Sequence, residues 1–265
     1  MSLRSFRLAG LFLLAPVAAH AGASDWHEMT GGKLRLVTER TADGDGTLRG
    51  AIEIRLDEGW KTYWREPGES GVAPQISLHQ DASAEDVALL FPAPQRFDDG
   101  TSQWAGYAGD VTLPVVVTGL GTDRGALGID VFLGVCETIC VPVQATLTVT
   151  PGEDIGPIDE AGIKAAFANL PAEAQDGFEV VGTTRNGDAL AIEVDLPEGI
   201  DRADLFLAGH DGLMLAAPEF APGTNGGTFT ARIVAPAKGG AIAADYTLVA
   251  GDEAVAGTLA LPYLP

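Results

Sequence analysis

The sequence predicts a mainly β protein, two β-sandwich domains joined by a linker with a short helix. Three observations carry that expectation. Short stretches alternating apolar and polar residues recur along most of the chain. Glycines (34) and prolines (16) punctuate them. An apolar content of 46% is enough for real cores, and no long helical period accompanies it.

Taken in order, Arg4 and Arg7 precede the apolar run Leu8 to Ala19, which exits through Ala19-His20-Ala21. This is the layout of a secretory signal cleaved near Ala21; a membrane span needs about 20 apolar residues. Residues 1–21 are therefore expected to be removed on export. The next best apolar stretch, Val111 to Leu120, is interrupted by Thr112, Pro114, Thr118 and Gly119, so no direct membrane insertion is expected. Losing Arg4 and Arg7 takes the formal charge from −21 to −23, which argues against nucleic acid as a partner.

Residues 33–37 and 49–57 alternate around the turn Asp43-Gly44-Asp45-Gly46, giving strand, turn, strand. Further strands are expected at 75–79, 86–91, 111–118, 127–134 and 143–150, each bounded by Gly, Pro or Asp. Residues 22–150 are read as the first sandwich. Pro151, Gly152 and Pro157 then break the pattern, and Asp159 to Phe167 reads as a short helix with an acidic first turn, so 151–177 is the linker. Strands return at 178–183, 189–195, 203–208, 228–234, 243–250 and 254–261, making 178–265 a second, smaller sandwich.

Chemistry concentrates on the two cysteines. Cys136-Glu137-Thr138-Ile139-Cys140 joins two expected strands. If these form a hairpin with a three-residue loop, the cysteines face each other with Cα atoms about 4.5–5.5 Å apart, a separation a disulfide accepts. Spacing alone leaves a stabilising staple and a redox pair both open. A staple across so short a loop contributes only about 2 kcal/mol in the chain-entropy model. Paired thiolates also suit Cu(I) or zinc. Zinc needs two further ligands, and His27, His79 and His210 are scattered, so no metal and no cofactor is expected. No phosphate loop, G-x-S-x-G or H-E-x-x-H motif is present. Asp98 and Asp99 beside Gly100 read as a solvated turn. Glu137 and the negative field are expected to oppose the thiolates and raise the thiol pKa values.

Gly59-Trp60-Lys61-Thr62-Tyr63-Trp64-Arg65-Glu66-Pro67-Gly68-Glu69-Ser70-Gly71 resembles a segment of DsbD-like amino-terminal domains. Phe91 to Phe97 with Gly106-Tyr107 and Leu113-Pro114-Val115 is similar to that family's next block. Val135-Cys136 to Cys140-Val141-Pro142 is similar to its cysteine block. The resemblance spans roughly residues 25–150 and is strongest to the ScsB-like branch.

It implies an immunoglobulin-like sandwich with the cysteine pair at a hairpin, working in the periplasm as a thiol–disulfide oxidoreductase. Its implied partners are a separately encoded membrane thiol transporter or thioredoxin-like carrier, and exported disulfide-containing proteins. Cys136 and Cys140 are the implied catalytic residues, with Cys140 forming the mixed disulfide and Cys136 resolving it. Phe97, Trp104, Tyr107 and Glu137 are shielding or docking candidates, against the plainer reading of the aromatics as core. Trp60, Tyr63 and Trp64 read first as fold-defining aromatics. The rival functions are a non-catalytic binding or assembly module with a structural disulfide, and a copper-tolerance factor binding Cu(I).

Overall fold

The structure, a computed structural model, describes residues 22–40, 43–68, 71–98, 100, 103–121, 125–152, 155–238 and 242–261. The expected signal at 1–21 and Asp99 lie outside them. The first part of the chain forms β1 (His27–Met29), β2 (Gly32–Thr38), β3 (Leu48–Leu56), β4 (Lys61–Tyr63), β5 (Gln75–Leu78) and β6 (Asp86–Leu89). It continues through β7 (Gln95–Asp98), β8 (Gln103–Ala108), β9 (Val111–Thr118), β10 (Leu127–Cys136) and β11 (Cys140–Val149). One sheet runs β1-β2-β3-β9-β6; the other runs β11-β10-β4-β8-β7, with β5 also on β10. Alternation sends Leu34, Leu36, Ile52, Ile54, Leu113 and Val115 inward from the first sheet, to meet Leu127, Ile129, Leu133 and Val135 from the second.

The expected helix exists and is longer at both ends: α1 (Pro157–Ala168) opens on Pro157, with Asp159 and Glu160 in its first turn. Rather than a bare linker, it covers the outer face of the first sheet. Period two turns Val37 and Ala51 away from the sandwich core, and Ile163 and Ala166 bury against them. Arg35 fastens the helix by bonding Asp159 at 2.6 Å and Glu53 at 2.8 Å.

After it come β12 (Ala172–Glu173), β13 (Glu179–Asn186), β14 (Ala189–Asp195), β15 (Asp204–Gly209), β16 (Met214–Leu215) and β17 (Glu219–Pro222). β18 (Gly226–Ala235), β19 (Ile242–Ala250) and β20 (Glu253–Leu261) complete the chain. Their sheets run β12-β20-β19-β15 and β13-β14-β18-β16, with β17 on β18. They enclose a second core around Leu190, Ile192, Phe229, Tyr246 and Leu248. The fold is thus mainly β, in two sandwiches, as the alternation and turn residues predict.

Among the contacts between the sandwiches are an aromatic plug and two arginines. Phe206 on β15 is 3% exposed and belongs to the core of the first sandwich, with its ring 5.8 Å from that of Trp64 at an edge-on angle of 63°. Arg96 on β7 forks onto Asp204, with bonds of 2.9 and 2.7 Å to one carboxylate oxygen, and donates to the Leu205 carbonyl at 2.8 Å. Arg65 approaches Asp245 at 3.6 Å. Beside these contacts a cleft of about 220 Å3 runs between the halves, lined by Trp64, Glu66, Trp104, Phe206 and Leu215 among others.

Candidate thiol site

β10 and β11 form a continuous antiparallel ladder from Leu127↔Val149 to Cys136↔Cys140, so the cysteines are the last paired residues before the loop Glu137–Ile139. The hairpin reading of this segment is correct. Both cysteines are free thiols; their sulfurs are 2.8 Å apart, with Cys140 Sγ donating to Cys136 Sγ. Cys140 is exposed and Cys136 is half-buried. Between them Ile139 holds an apolar side chain 75% exposed beside the open thiol.

β4 supplies the groups that meet the sulfurs. It lies between β10 and β8, with Cys136 opposite Lys61 and Val135 opposite Thr62. The Tyr63 hydroxyl is 2.8 Å from Cys140 Sγ. Burial foremost, then the two thiols, push the Tyr63 phenol well above its ordinary range, so it keeps its proton and donates to a Cys140 thiolate.

Two glycines leave room around this side chain and its strand. A Cβ at Gly134 would stand 3.1 Å from the Tyr63 ring and 2.8 Å from Val72 Cβ. One at Gly106 would meet the Thr62 carbonyl at 2.1 Å and the Trp104 ring at 3.0 Å. Gly134 leaves room for the Tyr63 ring itself, and Gly106 for the β4 backbone and the Trp104 ring beside it.

The Cys136 thiol is raised, as expected, but for a different reason. Burial is the main cause and its bond with Cys140 the next, while Tyr63 and the Lys61 ammonium oppose them. Glu137 is exposed in the loop, and its charge is not among the causes. A raised thiol favours the protonated form, so its contribution to the stability of the reduced protein is present below the unfolded thiol's pKa and lost as pH rises through the folded one. With Cys140 replaced by serine, burial still acts on Cys136, and its alkylation should reach half-maximal rate above the pH at which a free cysteine does. A midpoint at or below the free-cysteine value would refute burial as the controlling effect.

The other expected site residues divide. Phe97 stacks on Trp104, with centroids 4.2 Å apart, and Trp104 meets Tyr63 edge-on at 5.3 Å. The Lys61 ammonium sits 5.3 Å from the Phe97 ring centre and 5.4 Å from that of Trp104. Phe97 is thus linked to the tyrosine through Trp104. Tyr107 does not join the site: alternation along β8 turns it into the core, where its hydroxyl donates to the Pro92 carbonyl at 2.9 Å. The sequence reading missed Tyr63 and Lys61 as thiol partners. Their only local signal was a place in the aromatic segment, because what they face depends on strand order.

Asp98 caps a turn, accepting from the Gly100 amide at 2.7 Å. Among the described residues no group of three or more His, Cys, Asp or Glu is placed to hold a metal ion. No described helix is long and apolar enough to cross a membrane.

A β-sandwich with an open dithiol at a hairpin tip, a phenol on its exposed sulfur and an ammonium beside its partner defines a class of thiol-bearing sandwich domains. Residues 35–151 match the family described as thiol:disulfide interchange protein DsbD, N-terminal, so this stretch of the chain is similar to a DsbD-like N-terminal domain. No curated protein matches the sequence. Among solved structures, the N-terminal periplasmic domain of ScsB from Proteus mirabilis shares the fold with a TM-score of 0.79 at 20% identity, over 92% of this chain and 100% of that one. The conserved domain protein from Bacillus anthracis aligns at 7% identity over 91% of this chain and 90% of that one, with a TM-score of 0.23. The C-terminal domain of the antigen I/II-family protein AspA from Streptococcus pyogenes aligns at 10% identity over 92% and 99%, with a TM-score of 0.17.

Proposed function

We propose that this protein is a periplasmic thiol–disulfide interchange module that relays electron pairs through Cys136 and Cys140. The observation that carries the reading is the exposed Cys140 sulfur, 2.8 Å from its partner and in contact with a phenol that stays protonated. The Cys140 thiolate attacks one sulfur of a substrate disulfide, joins it as a mixed disulfide and expels the other sulfur as a thiolate, which takes up a proton. Cys136 then loses its proton and attacks Cys140 Sγ, releasing the second substrate thiol and closing the Cys136–Cys140 disulfide. One electron pair has passed to the substrate, and a dithiol donor restores the pair by the reverse sequence.

The division of roles follows exposure: Cys140 is open to a docked protein, whereas the half-buried, proton-retaining Cys136 suits resolution. The donor is a membrane thiol transporter or a thioredoxin-like carrier, and the acceptors are exported proteins with disulfides. The family match and the periplasmic relative of the same fold support that setting.

The deciding measurement is the reduction potential of the pair, taken by equilibrating purified protein in graded thiol buffers and counting alkylated cysteines by mass. The expected value falls between about −180 and −270 mV, where exchange proteins lie. A value below about −300 mV, the range of structural disulfides, would overturn the relay in favour of a structural disulfide in a binding module.

A further inference from the structure

We propose that the second sandwich is a working part of the thiol site: its Asp204–Leu205 edge, acting through Arg96, holds the Phe97–Trp104 stack against Lys61 and Tyr63. This rests on the relay reading and extends it to a part of the chain with no thiol of its own.

β7 is an edge strand of four residues that, among the described residues, pairs only with β8. An edge so short frays readily. Its outer side is instead tied by Arg96, which forks onto the Asp204 carboxylate and reaches the Leu205 carbonyl, while its guanidinium lies 4.6 Å from the Phe206 ring centre. Three kinds of contact from one planar group fix both the position and the tilt of the strand.

The next residue along β7 is Phe97, which faces Trp104 across the ladder and stacks on it. Trp104 in turn touches the Tyr63 ring, and both rings of the stack lie under the Lys61 ammonium. Tyr63 reaches Cys140, and Lys61 stands opposite Cys136. The path from Asp204 to the two sulfurs is thus a continuous series of packed contacts, and its last two members are the groups that favour thiolate. Arg96 is a positioning residue in this arrangement; it touches neither sulfur.

Glu137 is the carboxylate carried by the cysteine hairpin itself, and Lys61 is the cation that β4 brings to the pair. Losing the clamp therefore leaves the burial of Cys136 in place while Tyr63 and Lys61 lose their support.

The test is the rate of iodoacetamide alkylation of the reduced full-length protein across a pH series. It compares wild type with Arg96→Ala, Asp204→Asn and the reversed pair Arg96→Asp with Asp204→Arg. Asp204→Asn keeps its volume at a partly exposed position, so it preserves the fold if Arg96→Ala does not. Either single change should move the pH profile upward and slow alkylation at neutral pH roughly two- to tenfold, the worth of one hydrogen bond. The reversed pair should restore more than half of the loss. An unchanged profile in Asp204→Asn, or a reversed pair no better than the singles, would overturn the proposal. The relay is judged separately by the wild-type potential, because alkylation reads the support of the thiols whether or not they cycle.

Discussion

Replacing Cys140 by serine should abolish disulfide exchange and leave the fold intact. The side chain is exposed at the end of a ladder whose other pairs, Val135↔Val141 back to Leu127↔Val149, do not depend on it. Exchange needs a sulfur at this point to form the mixed disulfide, and a serine hydroxyl cannot substitute. The loss of stability, measured as a shift in denaturant midpoint against oxidised wild type, should not exceed about 2 kcal/mol, the chain-entropy value for so short a loop. The complementary change, Cys136→Ser, should leave Cys140 able to form a mixed disulfide that is not resolved, visible by mass after incubation with a disulfide substrate. Full exchange activity in Cys140→Ser would refute the assignment. So would a mixed disulfide that accumulates on Cys136 but never on Cys140. A stability loss well beyond the loop-closure value, with no loss of exchange, would make the pair a staple.

The second large effect concerns the joint between the sandwiches. Phe206→Ala should destabilise the protein by about 3–5 kcal/mol, the usual cost of emptying a buried phenylalanine site. The ring is 3% exposed although it comes from the second half of the chain, and it is packed among residues of the first core with Trp64 edge-on and Arg96 over its face. Its removal opens space beside the cleft already present between the halves. The reading is chemical unfolding followed by intrinsic fluorescence, with Val181→Ala as a control, a half-exposed apolar residue outside both cores. A loss below about 1 kcal/mol, the range of surface changes, would show that the plug does not join the two halves energetically.

Much of this architecture is local in origin. Period-two alternation and turn residues depend on neighbours in sequence, so β2, β3, β9, β10 and β11 were legible, as was the acidic-start helix. Shorter strands were not: β1, β4, β7 and β8 have too few residues or too many aromatics to show a period. β4 is three residues long and carries the two side chains that meet the thiols. The helix was legible, but its docking on Val37 and Ala51 was not, because outward positions on a strand look alike until something covers them.

What the sequence determined by itself is the hairpin that sets Cys136 opposite Cys140, since a three-residue loop between two alternating strands leaves those residues as the last pair. Everything that acts on those sulfurs was decided by tertiary structure. Tyr63 reaches Cys140 across 77 positions of chain and Arg96 reaches Asp204 across 108. Neither contact has a local signature. Each follows from which strands become neighbours and which face each residue presents, and that choice is made by the burial of two cores, with Phe206 of the second half buried in the first.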